Sequence, residues 1–72
     1  MKLVNFKQKE GYRFALTFEN GETKETDLQT LIGNYVSLEF LNTARIDNEW
    51  GCLEFKNGSV DIEPKTLYRY GG

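Results

Sequence analysis

LTFENGETKETDLQTL, residues Leu16 to Leu31, and LEFKNGSVDIEPKTLY, residues Leu53 to Tyr68, share one grammar. Each reads Leu-x-Phe-x-Asn-Gly, then a polar run, then Thr-Leu. Apolar residues at i and i+2 ahead of Asn-Gly predict a strand entering a hairpin, because that pair supplies the positive φ angles of a type I′ turn. From Asn20 to Leu31 is eleven residues and from Asn57 to Leu67 is ten, an offset that one loop absorbs. The repeat therefore reads as architecture: strand, turn, polar return strand, cap, and a short helix ending in an apolar anchor.

The flanking residues extend the same pattern. Val4 and Phe6 alternate on a first strand, and Glu10-Gly11 breaks it. Tyr12, Phe14, Leu16 and Phe18 then recur at period two, the mark of a half-buried strand. The return run Glu22 to Thr26 is polar throughout and reads as an edge strand whose charges discourage edge-to-edge pairing. Asp27 is a suitable N-cap. Leu28, Leu31, Ile32 and Tyr35 follow at i, i+3, i+4 and i+7, one apolar helix face. Gly33-Asn34 is expected to end that helix in a left-handed cap. Ser37 to Asn42 is open between a helical turn and an extended linker.

Alternation resumes at Ala44 and Ile46. Asn48-Glu49 turns the chain, and Trp50 to Lys56 returns with Leu53 and Phe55 on one face and Trp50, Cys52 and Glu54 on the other. Val60 and Ile62 form the strand after Asn57-Gly58. Pro64 stands where the first helical turn accepts proline, and Gly71-Gly72 reads as a frayed end. The expected fold is α+β: a small antiparallel sheet of five or six short strands in two hairpin units, with one or two short helices. Residues 1–72 make a single small domain.

Composition narrows the function. The chain carries 9 basic and 11 acidic residues, a net charge of −2, with 39% apolar and 14% aromatic residues. Residues 1–36 hold five charges of each sign, while residues 37–72 hold four basic and six acidic. Neither half has the basic footprint of a nucleic-acid binder, so nucleic acid is an unfavoured partner. One cysteine excludes an intrachain disulfide, and the lack of any histidine removes the usual zinc sets and the commonest catalytic base. No apolar run approaches the roughly 20 residues of a membrane span, and no signal-peptide pattern opens the chain. A cytoplasmic location without membrane contact is expected.

The repeat carries a resemblance. Phe18-Glu19-Asn20-Gly21-Glu22 with Asp27-Leu28, and Phe55-Lys56-Asn57-Gly58 with Val60-Asp61-Ile62-Glu63-Pro64-Lys65-Thr66-Leu67-Tyr68, resemble domain of unknown function 2442, a family of small bacterial proteins. The resemblance covers roughly Leu3 to Tyr68. Its most specific part is Asn-Gly-x-x-Asp-Ile-x-Pro-x-x-Leu-Tyr, and the chain has Phe55-Lys56 where the family often has Trp-Pro. It implies a small α+β fold and supplies no catalytic residues. It also implies a paired arrangement, since members are often encoded beside another small domain in pairs resembling toxin–antitoxin modules.

Each chemical candidate has a plainer reading. Cys52 lacks a base and has Glu54 on its own face, so it reads as a small core-lining residue rather than a nucleophile. The acids Glu19, Glu22, Glu25 and Asp27, like Asp47, Glu49 and Glu54, fall on turns and polar faces where solvated charge is the default. Asp61 and Glu63 beside Lys65 match no calcium loop; Asp61 is expected to hold the turn or cap the last helix. The glycines are too scattered for a phosphate cradle. No catalytic, cofactor or metal residue is assigned, no cofactor is expected, and the chain is read as a non-enzyme. Arg45, Trp50, Tyr68, Arg69 and Tyr70 are the interaction candidates, because Trp, Tyr and Arg dominate interface hot spots. Trp50 has the alternative of covering a sheet face.

The function expected is a non-catalytic protein-interaction module, the neutralising or regulatory member of a toxin–antitoxin-like pair. Its partner would be a small basic protein, with a homodimer possible as well. The alternatives are a homodimeric DNA-binding autoregulator, which needs Lys7, Lys9, Arg13 and Lys24 on one face, and an inhibitor of a nucleic-acid enzyme.

Overall fold

The computed structural model describes residues 1–70; the expected frayed end at Gly71-Gly72 lies outside them. The chain builds one unit twice. Strands β1 (Leu3–Gln8), β2 (Arg13–Phe18) and β3 (Thr23–Asp27) lead into helix α1 (Gln29–Ile32). A 3-10 helix over Leu38–Thr43 then leads to β4 (Arg45–Ile46), β5 (Leu53–Phe55), β6 (Val60–Ile62) and helix α2 (Pro64–Tyr70). The fold is α+β, as the sequence suggests. Its six strands form two three-stranded antiparallel sheets, in order β1-β2-β3 and β4-β5-β6.

Alternation placed β2 correctly: Phe14, Leu16 and Phe18 are fully buried. It misplaced β1. The β1–β2 register runs Asn5↔Thr17 and then Leu3↔Phe18, so Val4 is the extra residue of a β-bulge. A bulge reverses the facing of every residue beyond it. Leu3 thereby enters the core and Val4 stands 54% exposed.

The two Asn-Gly pairs make different turns. The second has Asn57 at φ 58° and Gly58 at φ 87°, with the Ser59 N–H donating to the Lys56 carbonyl, as a type I′ turn requires. In the first, Gly21 alone has positive φ, at 89°. The Gly21 N–H bonds the Phe18 carbonyl and the Phe18 N–H bonds Glu22. That is a three-residue loop with its left-handed bulge at Gly21. The difference follows from Lys56, itself at φ 57°. Its N–H is taken by Thr43 Oγ1 at 2.9 Å, so the 3-10 helix fixes the second turn from outside the hairpin.

Asp27 is not the N-cap expected of it: it ends β3, and the N-cap is Leu28, which has no side-chain cap bond. Asp27 Oδ1 still accepts the Gln29 N–H at 2.9 Å from one residue further out. The helix beyond it is shorter than the apolar spacing suggests. Leu28, Ile32 and Val36 are buried, whereas Tyr35 is 66% exposed. Gly33 has right-handed backbone, φ −57° and ψ −29°, so the expected left-handed cap does not form. Ser37 to Asn42 resolves as the 3-10 helix, which buries Leu41. Pro64 opens α2 at the position expected of it.

One core spans both units and contains Leu3, Phe14, Leu16, Phe18, Leu28, Ile32, Val36, Leu41, Leu53, Phe55, Ile62 and Leu67. Phe14 is its joint: its ring lies 6.0 Å from Phe55 at 82° and 6.1 Å from Phe6. A second tie is made by backbone, with the Leu3 N–H donating to the Gly51 carbonyl at 3.1 Å. The repeat is therefore structural, and neither unit closes its core alone.

Candidate protein-interaction surface

Trp50 rides on the β4–β5 connection. The Asp47 N–H bonds the Cys52 carbonyl, the Gly51 N–H bonds the Asp47 carbonyl, and Asp47 Oδ1 accepts the Glu49 N–H at 2.9 Å. The loop thus runs through Gly51 at φ 72°, longer than the Asn48-Glu49 turn expected, and β5 begins only at Leu53. Trp50 covers no sheet face; it is 66% exposed. It borders an open recess of about 580 Å³ with Met1, Cys52, Pro64 and the charged residues Lys2, Asp61, Glu63 and Lys65.

The other four candidates do not gather around it. Arg45 lies in a separate recess and is bound to Glu54 through Nε at 2.8 Å. Tyr68 faces inward to the first unit. Its ring meets Phe18 edge-on at 5.1 Å, Lys24 Nζ sits 3.9 Å above it, and its hydroxyl donates to Glu22. Tyr70 bonds the Thr30 hydroxyl and so ties α2 to α1. Arg69 is exposed in the last turn of α2, where a cation complements the helix dipole. Tyr68 and Tyr70 are thus the bolts that fasten the last helix, and Trp50 is the candidate that stands free. The spacing of the sequence missed Tyr35, Leu38 and Phe40, which are 66%, 63% and 42% exposed. The Gly33-Asn34 pair, placed before Tyr35, was the available signal that the buried face had ended.

The Tyr68–Glu22 contact predicts a pH signature. Donation from Tyr68, and secondarily from Asn20, holds the Glu22 carboxyl below its ordinary range. The same bond to Glu22 pushes the Tyr68 hydroxyl up. A depressed carboxylate stabilises the fold above its ordinary pKa and loses that contribution as pH falls through the folded value. A raised tyrosine contributes fully below about 10 and loses the contribution as pH climbs through the folded value. Tyr68→Phe should lower Tm by a few degrees at neutral pH. The gap to wild type should close below about pH 4 and narrow above about pH 10. Thermal melts across that range check it, and a gap constant down to acid pH would locate the Tyr68 contribution in packing instead.

Cys52 is partly buried and free. Burial pushes its thiol up, and Asp61, Asp47, Glu63 and Glu54 add to the effect. This environment keeps the thiol protonated and suits a packing role. The four bases named for a DNA-binding face are not assembled: Arg13 is bound to Glu25 at 2.8 Å, and Lys24 turns to the opposite side of the sheet onto Tyr68. Among the described residues, no three Cys, Asp or Glu side chains converge as metal ligands would. No helix of the described residues is long and apolar enough to cross a membrane.

These features define a small α+β domain of two fused β-β-β-α units with an exposed tryptophan loop. The chain belongs to the family of proteins of unknown function DUF2442, whose family model matches residues 3–72. Comparisons with curated proteins and with solved structures find no match.

Proposed function

We propose that this chain is a non-catalytic protein-interaction module, the neutralising or regulatory member of a toxin–antitoxin-like pair whose partner is a small basic protein. The observation that carries the reading is Trp50, 66% exposed at a loop tip beside the half-exposed Met1. Burying a side chain of that size removes a large apolar area from water, and Trp is the residue most enriched in interface hot spots. The loop that presents it is held by three hydrogen bonds among Asp47, Glu49, Gly51 and Cys52, so little ordering entropy opposes docking. The acidic bias of residues 37–72 favours a basic partner.

The test is capture from a nuclease-treated native lysate with the tagged chain and with its Trp50→Ala variant. The expected result is one stoichiometric small basic protein whose affinity falls about thirtyfold or more in the variant, the loss of a hot spot. Because Trp50 is exposed, the variant should fold as wild type does. Capture that is indifferent to Trp50, or turnover of a substrate by the purified chain, would overturn the reading.

A further inference from the structure

The four sheet edges are not alike. β1 carries the Val4 bulge, and its residue Leu3 is already tied to Gly51. β3 turns Lys24 inward, where it is held by Tyr68. β4 has two residues, one of them the exposed Arg45. Bulges, inward charges and short length are the devices that block strand addition. β6 has no bulge and no lysine, and its open side forms one wall of a groove. Ser59 to Glu63 line that wall; Leu31, Ile32 and Tyr35 stand opposite, and Thr66 borders one end. The groove is open and holds about 470 Å³.

The ladder to β5 fixes which groups face the groove. Leu53, Glu54 and Phe55 stand opposite Ile62, Asp61 and Val60. A ladder bonded at Glu54–Asp61 would need further bonds between Lys56 and Ser59 on the Lys56 N–H, and between Cys52 and Glu63. The Lys56 N–H goes to Thr43, and no bond joins Cys52 to Glu63. The bonded pairs are therefore Phe55–Val60 and Leu53–Ile62, and by alternation Asp61 turns both its N–H and its C=O away from β5. Neither group finds a partner among the described residues. The same holds for the carboxylate, which was expected to hold the turn or cap α2. On the outer face Arg45 is taken by Glu54, so Asp61 ends that row as an unpaired acid.

We infer that the edge of β6 is a docking site for an extended segment of a partner protein with alternating apolar and basic side chains, added as a fourth strand beside Asp61. This rests on the interaction-module reading and places the partner's contact. An added strand gains its affinity from backbone bonds and its specificity from alternate side chains. One set would lie against Leu31, Tyr35 and Val60, all lining the groove. The other set would stand next to Asp61 on the outer face. The groove lining contains two acids, Asp61 and Glu63, and no base, while Lys2 and Lys65 border the same two acids only in the Trp50 recess. A second copy of this chain fits badly in the fully overlapping register, because a two-fold pairing of β6 centred on its middle residue sets Asp61 opposite Asp61, and like charges directly opposed are destabilising. Asp61 and Glu63 also border the Trp50 recess, so the strand site is continuous with the hot spot.

The experiment is an NMR titration of the full 15N-labelled chain with an end-blocked synthetic peptide of about eight alternating Val and Lys residues, and with its Val–Glu counterpart. The Asp61 amide should move downfield and exchange more slowly, with Leu31, Tyr35 and Thr66 shifting in company. Affinity should be about 0.1–1 mM, as befits three residues of pairing. Asp61→Lys should weaken the Val–Lys peptide about fivefold and reverse the preference between the two peptides. Asp61→Asn, which removes the charge alone, should fall between. An Asp61 amide unmoved at about 1 mM peptide, equal binding of both peptides, or an Asp61 shift that follows chain concentration alone would overturn the site. Lysate capture that depends on Trp50 while Asp61→Lys captures equally well would overturn the strand site and leave the module standing. Peptide docking at Asp61 with no protein captured would do the reverse.

Discussion

Phe14→Ala should leave the chain largely unfolded at room temperature. Phe14 has 0% exposure near the start of the middle strand, and its ring joins Phe6 on the same sheet to Phe55 on the other. Truncating a buried phenylalanine costs about 3–5 kcal/mol through lost transfer energy and the cavity left behind. A domain of this size without a disulfide has roughly 3–5 kcal/mol in hand. The loss matches the whole of the stability. Phe14→Leu keeps most of the volume and should cost about 1.5 kcal/mol, staying folded. Urea titration by far-UV circular dichroism, with proton NMR dispersion, separates the two variants. A cooperative Phe14→Ala transition near the wild-type midpoint would show that the two sheets are joined elsewhere.

Gly51→Ala should cost about 3 kcal/mol, and Gly11→Ala about 1 kcal/mol, although both glycines are left-handed. Gly11 has φ 57° and open space where a Cβ would stand. Its substitution carries only the conformational penalty. Gly51 has φ 72°, and its Cβ would lie 2.5 Å from the Cβ and 2.9 Å from the Cα of Lys2. Relief requires Lys2 backbone to move, and Lys2 is held because its carbonyl accepts the Glu19 N–H at 2.8 Å. Movement would also stretch the Leu3–Gly51 bond that ties the units together. At about 4–8 °C per kcal/mol, the two variants should melt roughly 10 °C apart. Equal melting temperatures would mean that the approach of Lys2 to Gly51 relaxes freely.

The role of Gly51 bears on the surface as well as on stability. The loop that projects Trp50 is anchored through Gly51 to both Asp47 and Leu3. Gly51→Ala should therefore weaken partner capture even where the protein remains folded, whereas Gly11→Ala should not. Trp50 owes its exposure to this anchored loop, and its residue type alone could not show that.

Several elements were written locally and read correctly. Phe14, Leu16 and Phe18 alternate because a pleated strand sends successive side chains to opposite faces. Pro64 opens a helix because its fixed φ and missing N–H suit that position. The repeated Leu-x-Phe-x-Asn-Gly grammar gave two β-β-β-α units and carried the family resemblance that the matched model bears out. All of these depend on a residue and its neighbours within a turn or two.

What only the tertiary structure decided depends on groups distant in sequence. The two Asn-Gly pairs made different turns: Lys56 is left-handed with its N–H taken by Thr43 Oγ1, whereas the matching Glu19 N–H is taken by the Lys2 carbonyl and only Gly21 is left-handed. Val4 left the core because a bulge opposite Phe18 re-aimed β1. Tyr68 and Tyr70, free candidates by residue type, became fasteners once Phe18, Glu22, Lys24 and Thr30 came to them across the fold. Asp61 became the open acid of a strand edge only when Arg45 was committed to Glu54 and β6 was left at the margin of its sheet. Period and capping are short-range properties of the chain. Which edge is left unpaired and which aromatic is left exposed are set by the packing of one unit against the other.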